Sequence, residues 1–231
     1  MNKIVKLSKE ETLRCKEIAL KEGRDKSVQW SENEFRKGFL GRAATFLGIV
    51  GEYSVDKTFF NQGVDESVSV TGDGGKDFNV HGIKIDVKCQ ITESSSAIEK
   101  GYLGGFYTMA VDKNSNDKDL KYDMIFFTTV HALLWRGRIL TDLQSKRNLC
   151  SSDKSLSSPE RWMEIEGIAI ELCGYIWKDD ILRNKDQRKD RTLMRSNGGN
   201  NYNYYICRDE LILPRSRDDF NETLKKRDVS N

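Results

Sequence analysis

Apolar side chains follow two different periods along the chain, and the change between them divides it. In a start rich in Lys and Glu, Leu13, Ile18, Ala19 and Leu20 form a sparse helical stripe, which predicts a short surface helix ending near Gly23. A second helix is expected from Ser31 or Glu32 to Phe60, with an interruption near Gly38 or Gly41. Within it Leu40, Ala43, Ala44, Leu47 and Gly51 recur at the spacing that lines one helix face. Gly48 and Gly51 each cost such a helix about 1 kcal/mol relative to Ala, a cost that close packing against a sheet would explain.

After Gln62-Gly63 the period becomes two. Val68 and Val70 suggest a strand, Thr71 to Gly75 a turn, and Asp77 to Val80 a further extended run. His81-Gly82 is then followed by Ile83-Lys84-Ile85-Asp86-Val87-Lys88, a strict alternation. Gly101 to Val111 reads as a strand or an irregular crossing, and Asp112 to Asp123 as a polar loop. The continuous apolar run Met124 to Val130 predicts a strand buried on both faces, and Leu133 to Leu140 a further strand or hairpin. Ser145 to Arg161 reads as loop, Ile165 to Trp177 as one or two strands, Lys178 to Leu182 as the start of a short helix. Gln187 to Asn203 is polar and expected to be mobile, and Tyr204 to Leu213 is expected to be a late edge element. Helices followed by strands imply a mixed α/β or α+β fold.

Composition narrows the chemistry. The chain has 231 residues, 32% of them charged, and 38 basic against 36 acidic side chains give a net charge of +2. That balance neither demands nor excludes a nucleic-acid partner, because local clustering decides. No apolar stretch approaches the length that spans a bilayer. The N-terminus shows no apolar segment of the secretory kind. Five widely spaced cysteines (Cys15, Cys89, Cys150, Cys173, Cys207) without a C-x-x-C pair argue against a disulfide framework and fit a reducing cytoplasm. With His81 and His131 the only histidines, a Cys/His zinc site is not expected, so a metal here would be held by oxygen.

The informative segment is Asp77 to Lys88. If His81-Gly82 forms a two-residue hairpin loop, Val80 faces Ile83, Asn79 faces Lys84, Phe78 faces Ile85 and Asp77 faces Asp86. Alternation then places Lys84, Asp86 and Lys88 on one face, away from Ile83, Ile85 and Val87. Opposed like charges destabilise a hairpin. A hard divalent cation would account for both acids, since Mg²⁺ accepts one or two carboxylates and keeps room for water and phosphate. The Val87 carbonyl would add an oxygen, and Lys88 could align water or offset charge on a phosphate. A turn acid followed by a solvated strand face accounts for the same spacing equally well. Glu52, beside Gly51 on the glycine-containing helix, is a third acid, although a helical Glu is usually solvated.

Gly51-Glu52, then Gly72-Asp73-Gly74-Gly75-Lys76-Asp77-Phe78, then Gly82-Ile83-Lys84-Ile85-Asp86-Val87-Lys88 resembles the PD-(D/E)XK nuclease superfamily, which includes restriction endonucleases and Holliday-junction resolvases. The resemblance covers about residues 40–130 and departs from the pattern where Lys76 replaces the proline. It implies a restriction-endonuclease-like central mixed β-sheet flanked by helices. An N-terminal helical extension (1–30), a nuclease core (31–145) and accessory strands, loops and tail (146–231) follow from it. It further implies a Mg²⁺-dependent phosphodiester hydrolase, a DNA endonuclease in which a metal-activated water attacks the phosphate, with Mn²⁺ as a substitute ion. Asp77 and Asp86 would hold the metal with Glu52 and the Val87 carbonyl, Lys88 would be the catalytic lysine, and Gln90 matches a polar position of some branches. Many members work as dimers so that both strands are cut, which makes a homodimer one expectation, though no interface is legible.

Other motifs carry less. Thr71 to Lys76 lacks the spacing of a phosphate-binding loop and reads as a turn. His81 belongs to the hairpin, and His131 reads as a packed or capping histidine. The densest basic tract is Arg183, Lys185, Arg188, Lys189, Arg191 and Arg195, followed by Tyr202, Tyr204 and Tyr205 among Asn and Gly. That mixture suits a nucleic-acid groove and suits a solvated loop equally. Arg36, Lys37 and Arg42, ahead of Glu52, could also meet phosphates. The competing readings of function are an inactive DNA- or protein-binding factor on the same fold and an RNA nuclease.

Overall fold

The computed structural model describes residues 3–29, 39–64, 77–91, 105–107, 111–112, 122–135, 137–140, 164–183, 189–190 and 201–228. Chain order is β1 (Lys3–Leu7), α1 (Lys9–Gln29), α2 (Phe39–Val55), β2 (Phe78–Val80), β3 (Ile83–Ile91), β4 (Gly105–Tyr107), β5 (Val111–Asp112), β6 (Met124–Trp135), β7 (Arg138–Leu140), β8 (Ile165–Trp177), α3 (Lys178–Arg183), β9 (Lys189–Asp190), β10 (Asn201–Cys207) and α4 (Arg217–Asp228). The main sheet has the order β1-β8-β6-β3-β2, with β7 added to β6. The β3–β6 pair is parallel and the others are antiparallel, so this is a mixed α/β fold. Its strands come from the first thirty residues, the middle of the chain and the stretch after residue 146 alike. A second sheet is built on β10, which pairs with β4, β5 and β9.

β6 explains its own apolar run. Met124 and Phe126 join the larger core with Ile85 and Val87, while Ile125 and Phe127 join a second cluster with Cys173, Ile176, Ile181 and Ile206. A strand covered on both faces has no polar alternation to show. Against the larger core α2 contributes Phe46, Leu47, Ile49 and Val50. At Gly51 α2 lies close against the sheet. An added Cβ there would lie 2.7 Å from Thr128 Oγ1 and 2.8 Å from Cys89 Cβ. Gly48 has no such reason, because its Cβ would meet Glu52 Oε1 at 3.8 Å, an ordinary contact.

The ends of the chain differ from the sequence expectations. Lys3–Leu7 is a strand, fixed by pairing with β8 from Lys3↔Leu172 to Leu7↔Ile168, a long-range partner that local periodicity does not reveal. A capping box then starts α1: Ser8 N–H donates to Glu11 Oε2 (2.7 Å) and Glu11 N–H to Ser8 Oγ (3.2 Å). The helix continues through Gly23 to Gln29, since one glycine costs less than the packing of α1 on α2 and β8 returns. Of the second predicted helix, α2 covers Phe39–Val55 and the expected start at Ser31 or Glu32 lies outside the described residues; at its far end the chain turns in a π-helical segment at Asp56–Phe60. Both carboxylate oxygens of the buried Asp56 accept main-chain N–H groups there, from Gln62 (2.8 Å) and Gly63 (3.1 Å). β10 is the centre of the second sheet and not an edge.

The last described element is α4, which sequence periodicity did not announce because Phe220 and Leu224 are its only buried positions among the described residues. Phe220 stacks on Tyr175 (5.1 Å between ring centres) and meets Phe59, Phe60 and Phe126. Where β1 stops covering β8, Ile212 takes its place: Tyr175 and Ile212 exchange main-chain hydrogen bonds of 2.9 Å. Gly174, at φ +122°, permits that approach, since a Cβ would lie 2.8 Å from the Ile212 carbonyl oxygen. No helix among the described residues is long and apolar enough to cross a membrane. Ser31, Val68, Val70, the turn 71–75, most of the loop 112–123 and Ser145–Arg161 lie outside the described residues.

Candidate functional site

The β2–β3 hairpin is set by its two-residue loop. His81 and Gly82 take φ of 51° and 78°, the left-handed pair that matches the twist of flanking strands. The register follows the sequence reading: Val80↔Ile83, Asn79↔Lys84 and Phe78↔Ile85. It does not continue to an Asp77↔Asp86 pair. The ladder ends at Phe78, and Asp77 N–H donates to the Ile85 carbonyl at 2.8 Å, one residue out of step. In exchange the Asp77 carboxylate moves inward, and its Oδ2 accepts the Val87 N–H at 2.5 Å. An N–H that a continued ladder would give to main chain is thus given to a side chain. Because the N–H and carbonyl of one strand residue point to the same side, the Val87 carbonyl also faces the edge where β2 has ended.

Asp86 is 3% exposed, so the segment is not a solvated strand face. Its Oδ1 accepts a hydrogen bond of 2.6 Å from Lys88 Nζ, the next residue on the same face. Burial pulls the Lys88 ammonium down. The charges of Asp86 and Asp77, the Asp86 hydrogen bond and the charge of Glu52 outweigh that, leaving Lys88 above the ordinary lysine value. Three carboxylates from β3, the end of β2 and α2 therefore act on one ammonium.

They do not form one ligand cage. Among the described residues, no group of three His, Cys, Asp or Glu side chains could hold a metal ion, so Glu52 does not complete a three-acid set with Asp77 and Asp86. What remains is two carboxylates and a main-chain carbonyl, an all-oxygen donor set. Gln90 follows Lys88 on the same face, and its carbonyl accepts the Thr129 hydroxyl at 2.8 Å.

The face carrying Asp86 and Lys88 extends across the sheet. Asp86 pairs with Ile125 and Ile125 with Ile176; Gln90 pairs with Thr129 and Thr129 with Glu171. Paired residues share a face. Glu171, 7% exposed, forms an ion pair with Arg208, which follows β10. Sequence reasoning missed this pair, since nothing local links residues 37 positions apart.

The remaining sequence-derived candidates are dispersed. Arg183 on α3 is exposed and bonded to Asp180 at 2.9 Å. Arg42 lies on α2, Lys189 on β9 and Tyr202 and Tyr204 on β10; Tyr204 pairs with Lys189 and Tyr202 with Val111. Arg36, Lys37, Lys185, Arg188, Arg191 and Arg195 lie outside the described residues. His131 is exposed on β6, which rules out the packed alternative of its packed-or-capping reading. Burial pushes the thiols of Cys15 and Cys173 up to about 12 and that of Cys89 up to about 11, which leaves no thiolate among these three for nucleophilic chemistry. In comparison with known proteins, no family model, no curated protein and no solved structure matches the chain.

Proposed function

We propose that the protein is a Mg²⁺-dependent phosphodiester hydrolase, a DNA endonuclease of the PD-(D/E)XK type with a restriction-endonuclease-like core. The observation that carries this reading is the pairing of Lys88 with the buried Asp86 at the end of a tight hairpin, where the Asp77 carboxylate accepts the Val87 N–H. Supporting the fold assignment are the hairpin, the parallel strand β6 beside β3, and the helix α2, which carries Glu52 and packs on the sheet at Gly51.

The donor set fits a hard divalent ion. Asp77, Asp86 and the Val87 carbonyl offer oxygen alone, and two carboxylates match the habit of Mg²⁺, which leaves its other positions to water and phosphate. When bound, the ion would polarise the phosphate and favour ionisation of water. The chain's own part is positioning. The Val87 N–H fixes the Asp77 carboxylate, and burial fixes Asp86. Lys88, held on Asp86, turns its remaining N–H groups toward a phosphate oxygen, where they stabilise charge developing as water attacks in line. The charge of Asp86, with smaller contributions from Asp77 and Glu52, favours the protonated Lys88.

Two observations favour a second reading. The Asp86–Lys88 ion pair and the absence of a three-group metal site among the described residues also suit a fold that binds DNA or protein without turnover. Incubation with plasmid, linear DNA and RNA, in Mg²⁺ or EDTA, separates these. The hydrolase reading expects Mg²⁺-dependent cutting that Asp86→Ala and Lys88→Ala abolish; undiminished cutting by both variants excludes this site. Cutting of RNA alone would move the substrate without moving the site.

A further inference from the structure

We propose that Arg208 is a second phosphate-contact site, gripping the nucleic-acid backbone beside the position where Lys88 meets the scissile phosphate. This rests on the phosphodiesterase reading above.

Three observations carry it. The first is shared direction: strand pairing puts Asp86, Gln90, Thr129 and Glu171 on one face, and Glu171 holds Arg208 there. The second is spacing. From β3 across β6 to β8 is two strand separations, about 10 Å, and Glu171 lies two residues further along the strands than Lys88, a separation suited to phosphates two steps apart on one backbone. The third is accessibility: the side chains of Arg208 and Lys88 are 27% and 24% exposed, while the carboxylates holding them are 9% and 4% exposed. Each cation is thus fixed from below by a buried acid and open from above.

The chemistry favours phosphate. A guanidinium presents several N–H donors in a planar fork, so one side can stay on Glu171 while another meets an anionic oxygen. A buried ion pair is poor evidence of a purely stabilising role, because well-packed apolar residues of similar volume often do as well. A backbone that meets Lys88 at the reacting phosphate would then reach Arg208 at a phosphate further along. Glu171 acts through Arg208 and is a positioning residue.

The test is the salt dependence of binding of a short fluorescent DNA duplex, with Ca²⁺ replacing Mg²⁺, by the full chain and its Arg208→Gln, Arg208→Lys and Glu171→Gln variants. Thermal melts of all four proteins separate folding loss from binding loss. Losing one phosphate contact should reduce the slope of log affinity against log salt by about 1 and weaken binding several-fold at low salt. Arg208→Gln should show this, whereas Arg208→Lys and Glu171→Gln, which keep the positive charge, should retain the wild-type slope. A purely structural clamp predicts that Arg208→Gln and Glu171→Gln behave alike, and that result, or a wild-type slope for Arg208→Gln, overturns the proposal. If the wild-type chain cuts DNA yet the Arg208→Gln slope is unchanged, the Arg208 site alone fails. If the wild-type chain neither cuts nor binds, the hydrolase reading fails first.

Discussion

Lys88 Nζ lies 2.6 Å from Asp86 Oδ1, two residues away on one face of β3, and the side chain of Asp86 is 4% exposed. Replacing Lys88 by Ala removes the cation from a buried carboxylate, which should cost about 1–3 kcal/mol of stability. Under the proposed function, cleavage should fall at least about 100-fold in Asp86→Asn and in Lys88→Ala, the loss typical of a missing charge-stabilising group. Denaturant melts and initial rates on plasmid DNA, measured on the same preparations, distinguish lost folding from lost chemistry.

The hairpin loop controls where Asp77 can reach. Gly82 at φ +78° holds a conformation that a β-branched side chain resists, so Gly82→Val should destabilise the protein by about 1–3 kcal/mol. His81→Asn, at φ +51°, should be neutral or slightly stabilising because Asn tolerates the left-handed region. If the hairpin positions the site, Gly82→Val should also lower cleavage in the fraction that remains folded, and His81→Asn should not. Equal activity of the two variants per folded molecule would disconnect the turn from the chemistry.

Two glycines three residues apart on α2 should respond in opposite directions. Gly51→Ala places a Cβ 2.7 Å from Thr128 Oγ1 and 2.8 Å from Cys89 Cβ, and overpacking of this kind costs about 1–3 kcal/mol. Gly48→Ala meets only an ordinary contact at 3.8 Å and should gain up to about 1 kcal/mol of helix propensity. Urea midpoints should therefore move down for the first variant and up for the second.

Buried ionisable groups set the response to alkali. Lys16 is 2% exposed, and its ammonium donates to the Ile165 carbonyl at 2.9 Å. Burial, with a smaller contribution from Lys9, pulls it down from 10.5 to about 8. The unfolded chain then binds more protons between about 8 and 10.5, so Lys16 contributes stability that rises with pH across that window. Cys15, Cys89 and Cys173 act oppositely: their burial-raised values mean the unfolded chain releases protons first, and stability falls above 9. The comparison to make is wild type against Lys16→Met, in which the cysteines cancel. The stability difference should change by a few kcal/mol between pH 7.5 and pH 10, and a flat difference would contradict a buried ammonium. Lys88, held above 10.5 by its carboxylates, should lose its contribution only at still higher pH.

The hairpin was legible because a two-residue loop flanked by alternating residues leaves one register, and that register appears from Val80↔Ile83 to Phe78↔Ile85. Its limit was also local. Nothing in the sequence shows that Asp77 slips out of the ladder and gives its carboxylate to Val87. The expected packing reason for glycine held at Gly51 and failed at Gly48, since period alone does not say which glycine meets the sheet. The strand β1 and helix α4 were missed because each is defined by partners far along the chain: β8 for one, the Phe59–Phe126–Tyr175 cluster for the other.

The sequence by itself determined the elements whose physics is short-range: the buried run of β6, the turn at His81-Gly82, and the alternation that puts Asp86 and Lys88 on one face. Tertiary structure alone decided that Asp86 is buried, that Glu52 acts on Lys88 without joining a metal cage, and that Glu171 and Arg208 meet on that same face. The reason is that periodicity fixes the direction of a side chain relative to its own strand. Burial, charge environment and ion pairing depend on which distant strand or helix comes to lie against it.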